Sequence, residues 1–176
     1  WQHAAVNDLG VINAHFNKRT QVKKYGGKYA NRAYRWQDNL RTRAVEKLFP
    51  NYFTGFKNLH APAAYTKSTF AAVWNAEPEL LARTTAHRFR SAEDVNQWAC
   101  LWWQIASGQF ASFNTDNVVS CADEDTVDEL CRIIGRQSHD MLCINDPEKP
   151  VDFEVLSSQL RDAFETILPK KSGFER

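Results

Sequence analysis

Glycine and proline are scarce in this sequence, at 7 and 6 of its 176 residues. That scarcity excludes collagen-like and low-complexity chains, and the lack of internal repeats excludes a solenoid. No apolar run approaches the roughly 20 residues a membrane-spanning helix needs, and no basic-then-apolar secretory leader is present. The four cysteines, Cys100, Cys121, Cys131 and Cys143, form no Cys-x-x-Cys pair, and no histidine stands at zinc-finger spacing. A structural zinc site is therefore not expected. Three of these cysteines lie in apolar runs, where a free thiol behaves as a small hydrophobe, and reduced thiols point to a cytosolic compartment. Methionine is absent from the first position, which Trp1 occupies, so the chain reads as part of something longer.

What the sequence does hold is enough apolar surface for a folded domain: 43% hydrophobic and 12% aromatic residues. Its formal charge of +1 hides an asymmetry, because residues 1–60 carry eleven Lys or Arg against Asp8, Asp38 and Glu46. Farther on, Asp123, Glu124, Asp125, Asp128 and Glu129 form the densest acidic cluster. Such a split either turns one end of the fold toward an anion or leaves two solvated surfaces of opposite sign.

Apolar spacing of three or four predicts a helix over residues 3–16 (Val6, Leu9, Ile12, Phe16). The stretch "NKRTQVKKYGGKYANRAYRW", broken by Gly26 and Gly27, reads as an exposed basic loop. A helix over 36–49 follows, stopped by Pro50, and then a short strand or extended segment, "YFTGFKNLHAP". Thr66 is placed to cap a helix beginning "KSTFAAVW", and Pro78 suits the first turn of the next. Ser91 and Asp94 have capping-box spacing and predict a largely buried helix from there, with Val95, Trp98, Leu101, Trp102 and Ile105 on one face. Beyond Gly108 the order is strand ("FNTDNVVSC"), helix ("DTVDELCRIIG"), strand ("DMLCIND"), then an amphipathic helix capped by Asp152 and stopped at Pro169. Strand, turn and helix in that order predict an α/β fold, whose ligands gather at the carboxyl ends of strands.

Four places carry candidate chemistry. In "HRFRSAED", Arg88 and Arg90 stand beside the expected positive end of a helix, where they need carboxylate partners or a phosphate. Glu93 and Asp94 are accounted for by capping or by a role beside those arginines. His60, before Pro62, is either a packing residue or a base that accepts a hydroxyl proton. Asn145 and Asp146 in "CINDP" form either a plain turn or oxygen ligands for Mg²⁺ or a sugar hydroxyl. Residues 18–43 interleave Lys and Arg with Tyr and Trp, which suits single-stranded nucleic acid, an anionic polysaccharide or a solvated loop.

"HAPAAYTKSTFAAVWNAEPELLARTTAHRFRSAEDVNQW" resembles the third conserved region of the Stealth family, through His60, Pro62, Pro78, His87, Arg90, Glu93 and Asp94. "MLCINDPEKPVDFEVLSSQLRDAFETILPKKSGFE" is similar to the fourth, through Cys143, Asn145, Asp146, Pro169, Ser172, Phe174 and Glu175. Residues 1–56 carry a weaker likeness, mainly the Lys-Tyr-x-Asn-Arg-x-Tyr of Lys28 to Tyr34, which includes Arg32. The family's first two regions, which help form the nucleotide-sugar site, have no counterpart here.

The resemblance implies the helix-rich C-terminal half of a nucleotide-sugar transferase-like fold of GT-A or Rossmann type. Residues 1–56 would be a helical and basic-loop segment and residues 57–176 the third and fourth regions. Both would belong to one catalytic domain continuing N-terminally, with the missing half as a partner. The implied activity moves a hexose 1-phosphate from a UDP-sugar to a hydroxyl of an acceptor polysaccharide or oligosaccharide, in capsule or exopolysaccharide synthesis, releasing UMP. The implied catalytic residues are His60, Arg90 and Asp146. His87, Arg88, Glu93, Asp94, Asn145, Lys28 and Arg32 are implied on substrate, and Asn145 and Asp146 on Mg²⁺. The expected location is the bacterial cytosol, extending to peripheral attachment at the inner membrane face. A homo-oligomer is left open, and nucleic acid is not the expected partner. The rival readings are a non-catalytic fragment that binds anionic glycan and a nucleic-acid binder working through residues 18–43.

Overall fold

The computed structural model describes residues 2–57, 63–113, 118–121, 127–144 and 152–174, with the backbone alone for Gln2 and 118–121. These residues form two compact units, one of residues 2–57 with 63–113 and the other of residues 118–121, 127–144 and 152–174.

The first unit is helical: α1 (Gln2–His15), α2 (Lys18–Tyr29), α3 (Trp36–Leu48), α4 (Lys67–Ala76), α5 (Pro78–Ala86) and α6 (Trp98–Ala106). Helix α1 packs on α6, and α4 packs on both α6 and α5. Two apolar clusters result. In one, Ile12, Phe53, Trp102 and Ala106 are buried, with Leu9, Phe16, Phe56 and Trp98 packed around them. Phe53 stacks on Phe56 at 5.2 Å, and Phe56 meets the Trp102 ring at 5.3 Å. In the other, Val11, Val95 and Ala99 are buried against Leu80, Leu81 and Trp103. Losing a buried ring such as Trp102 costs about 3–5 kcal/mol, so these clusters hold the unit together.

Local signals place several of these helices. Thr66 caps α4, its Oγ1 accepting the Thr69 N–H at 3.2 Å, and Pro78 opens α5 where its missing N–H costs nothing. Residues 52–57 form no regular element.

Two sequence expectations are overturned. The stretch read as a basic loop over 17–36 is α2 for most of its length. Asn17 caps it by accepting the Thr20 N–H at 3.2 Å. The Tyr29 hydroxyl near its other end donates to the Ile105 and Ala106 carbonyls at 2.9 Å each. Those anchors offset the roughly 1 kcal/mol that each mid-helix glycine costs. The second correction concerns Ser91 and Asp94, where no helix begins; α6 starts at Trp98. Helical bonds would join the Asn96 N–H to the Ala92 carbonyl and the Trp98 N–H to the Asp94 carbonyl. Instead the Asn7 amide donates to both carbonyls, at 2.8 and 2.9 Å. The Asn96 N–H goes to Asp8 Oδ1 at 3.0 Å, and the Trp98 N–H to the Asn96 side chain at 2.7 Å. Contacts with α1 outcompete the local helix.

In the second unit, β1 (Val118–Cys121) and β2 (Met141–Ile144) pair in parallel, Val118 opposite Met141. Helix α7 (Val127–Arg136) lies between them in sequence and buries Val127, Leu130, Ile133 and Ile134 at helical spacing. It packs on α8 (Phe153–Ile167). Asp152 caps α8 through the Glu154 and Val155 N–H groups, at 3.1 and 3.2 Å. Helix α7 runs one residue past the expected stop at Gly135, and the turn closes at Gln137, whose φ is 48°.

Candidate functional site

The "HRFRSAED" stretch sits between α5 and α6 as an exposed loop. His87 is the C-cap of α5, its backbone extended at φ −74°, ψ 126°, which turns the chain off the helix axis. The imidazole then meets Asp94, with Nδ1 2.7 Å from Oδ1. The other oxygen, Oδ2, accepts the Ser91 N–H at 2.7 Å. Asp94 is thus buried and bonded on both oxygens, while the His87 side chain is 40% exposed.

This geometry has a chemical consequence. A carboxylate at Nδ1 favours the tautomer with the proton on that nitrogen, leaving Nε2 as the acceptor, or as a donor once the ring is protonated. The Ser91 N–H and the His87 contact together hold the Asp94 carboxyl below its ordinary value of 3.8. The acid therefore stays ionised at neutral pH and orients the ring.

Around the pair, Arg88 lies over the exposed Phe89 ring at 5.4 Å, and Arg90 is exposed. Glu93 is exposed too, its backbone N–H directed at Ser91 Oγ at 3.4 Å. It was expected in the first turn of a helix and occupies a turn of this loop instead. The capping-box geometry survives in part, since the Asp94 side chain still reaches back to the Ser91 N–H.

The loop is strapped down from α1 and α5. Besides the bonds from Asn7 and Asp8, the Val95 N–H points at Thr84 Oγ1 at 3.4 Å. Asp8 is fully buried, and only Oδ1 is bonded; Oδ2 and the Asn96 Nδ2 have no partner. Burial pushes the Asp8 carboxyl up to about 7, opposed by the Asn96 N–H. Sequence reading missed Asn7 and Asp8. The available signal was an acid at a core-facing position, one turn before Ile12 on the same helix face.

Lys28 is engaged structurally: its ammonium donates to the Gly108 and Phe110 carbonyls at 2.6 and 3.0 Å and sits over the Phe110 ring. The rest of the 28–34 motif knits the same region. Asn31 donates to Ser112 Oγ at 2.8 Å and Tyr34 to the Lys28 carbonyl at 3.0 Å. Burial raises the Tyr29 hydroxyl to about 12, so it stays protonated and donating. Arg32 is exposed. His60, Asn145 and Asp146 lie outside the described residues. Among the described residues, no three His, Cys, Asp or Glu side chains are grouped to hold a metal ion, and no helix is long and apolar enough to cross a membrane.

No family model matches the sequence, and no solved structure matches it. Curated relatives do. The chain is 30% identical to a receptor polysaccharide phosphotransferase of Streptococcus gordonii, over 98% of this chain and 51% of that protein. It is 31% identical to a capsular polysaccharide phosphotransferase of Streptococcus pneumoniae, over 97% of this chain and 50% of the relative. An exopolysaccharide phosphotransferase of Lactiplantibacillus plantarum is 29% identical, over 100% of this chain and 51% of its own length. The chain thus spans about half the length of the curated relatives it matches. Several such proteins cover nearly all of this chain, which is thus similar to one half of bacterial capsular and exopolysaccharide phosphotransferases.

Proposed function

We propose that this chain is part of an enzyme that transfers a hexose 1-phosphate from a UDP-sugar to a hydroxyl of an acceptor glycan, within a GT-A or Rossmann-like catalytic domain. The observation that carries this reading is the His87–Asp94 pair, held at 2.7 Å on a loop that also presents Arg88 and Arg90. In the reaction the acceptor oxygen attacks the phosphorus bearing the sugar. The bond from that phosphorus to the bridging oxygen breaks, and UMP departs with the bond's electron pair. Such a transfer needs positioning and neutralisation of phosphoryl charge more than covalent catalysis.

Arg90 is assigned to the phosphoryl oxygens. His87 donates to the same group from Nε2 when protonated, its ring oriented by Asp94, whose two oxygens are used inside the loop. Arg88 and Glu93 border the substrate. His60 takes the proton of the acceptor hydroxyl. Asn145 and Asp146 offer hard oxygen donors of the kind Mg²⁺ prefers, and Mg²⁺ there would offset the charge of the diphosphate.

The test uses the longest natural polypeptide that contains this sequence, incubated with a panel of UDP-sugars and acceptor glycan while UMP is measured. Release of UMP is expected, and Arg90→Ala should lower kcat by about a hundredfold or more with an unchanged circular dichroism spectrum. Glycan retention with no UMP from any UDP-sugar would instead establish the binding-fragment reading. Full turnover by Arg90→Ala would remove Arg90 from the chemistry.

A further inference from the structure

Helix α3 is built inside out. None of its 13 residues is buried, and the face turned toward the protein is the polar one. Asp38, Asn39, Thr42, Val45 and Glu46 are half-buried there. Asp38 pairs with Lys57 at 3.1 Å, and the Asn39 amide donates to the Asn31 carbonyl at 2.7 Å. At the C-terminal end the buried Lys18 ammonium reaches the Val45 and Phe49 carbonyls, at 3.4 and 3.2 Å. Polar contacts, not apolar packing, hold this helix to the fold.

The opposite face carries the apolar residues. Trp36, Leu40, Ala44 and Leu48 recur every four residues on one stripe. Trp36 and Leu48 are each 73% exposed and Leu40 60%. Phe49 and Tyr52, exposed as well, extend the patch past the helix end. Arg41, Arg43 and Lys47 are exposed beside this stripe, whereas both acids of the helix, Asp38 and Glu46, lie on the inner side. The outward face is therefore apolar and cationic with no acid of its own.

We propose that this face of α3 is a docking surface for an anionic lipid bilayer, on which the helix lies flat. Charge complementarity selects the partner. Aliphatic residues at the centre of the stripe enter the acyl boundary, and the arginine and lysine stems reach outward to headgroup phosphates. Trp36 sits where an amphipathic ring is at ease, at the headgroup level. Nucleic acid would use the cations but leave Leu40, Ala44 and Leu48 in water. A protein seam would have no need of a cationic border free of acids.

The experiment is vesicle co-sedimentation of the longest natural polypeptide containing this sequence. Phosphatidylcholine vesicles are compared with phosphatidylcholine–phosphatidylglycerol vesicles at low and high salt. Binding to the anionic vesicles alone is expected, weakening as salt rises. The triple variant Arg41→Gln, Arg43→Gln, Lys47→Gln should bind about a hundredfold more weakly, near fivefold per charge removed. Leu40→Asp should also lose binding. Hydrogen exchange keeps the proposal testable should a variant misfold, because the wild-type segment 36–52 must gain protection on vesicles. Absence of vesicle binding would mean that the rest of the polypeptide or a protein partner covers this face, and would overturn the proposal. Equal binding to both vesicle types, or protection confined to another segment, would overturn it too.

Discussion

Replacing Asp8 with Asn tests the buried anchor beneath the site. Asp8 is fully buried, one oxygen bonded to the Asn96 N–H at 3.0 Å and the other without a partner. Its carboxyl is pushed from an ordinary 3.8 to about 7. Between those values the unfolded chain has already lost this proton while the folded chain keeps it. Stability therefore falls with rising pH by about 1.4 kcal/mol per unit and levels off above the folded value. Asparagine has nearly the same shape, keeps the acceptor for Asn96 and never ionises. At about pH 4.5 the variant should match the wild type within about 1 kcal/mol. By about pH 8 it should be more stable by about 3 kcal/mol. Urea denaturation of both proteins across that range, read by circular dichroism, gives the difference directly. A difference that stays flat with pH would show that the Asp8 charge is compensated in the fold, and the account of a desolvated anchor would fall.

Two further changes bear on the same framework. Gly108 has φ +74°, and a Cβ there would stand 2.6 Å from the Tyr25 ring, so Gly108→Ala should destabilise by about 3 kcal/mol in chemical denaturation. Wild-type stability there would refute the close approach that lets Lys28 reach the Gly108 carbonyl. Asp94→Asn should lower kcat by about a hundredfold while leaving KM near that of the wild type, since Asp94 acts through the His87 ring. Because its pKa is depressed, Asp94 stabilises the fold above 3.8 and that contribution is lost as pH falls through the lower folded value. Acid titrations of stability should show this loss in the wild type and not in Asp94→Asn.

Elements with local start signals were legible in the sequence: α4 from Thr66, α5 from Pro78 and α8 from Asp152, each signal acting within three residues of the element it sets. That α6 would be largely buried was legible as well, but its innermost face was not: of the expected Trp98, Leu101, Trp102 and Ile105 only Trp102 is buried, and Ala99, Cys100, Gln104 and Ala106 are buried with it. Helix α2 was not legible, since a basic stretch with paired glycines has weak helical preference, and its fixing bonds come from Ile105 and Ala106, more than seventy residues away. The motif at 87–94 could be found, yet its geometry was only half visible. Capping spacing foresaw Asp94 reaching back to Ser91, and nothing in the spacing indicated that its other oxygen would take His87.

Sequence alone therefore marked the 87–94 stretch and most of the helices, because composition, caps and periodicity act over a few residues. The tertiary structure decided the conformation of that stretch. Asn7 and Asp8, 85 to 88 positions away, take the backbone groups that a local helix would have used. Hydrogen bonds of that range exist only once α1 has packed on α6, so no local pattern can encode them.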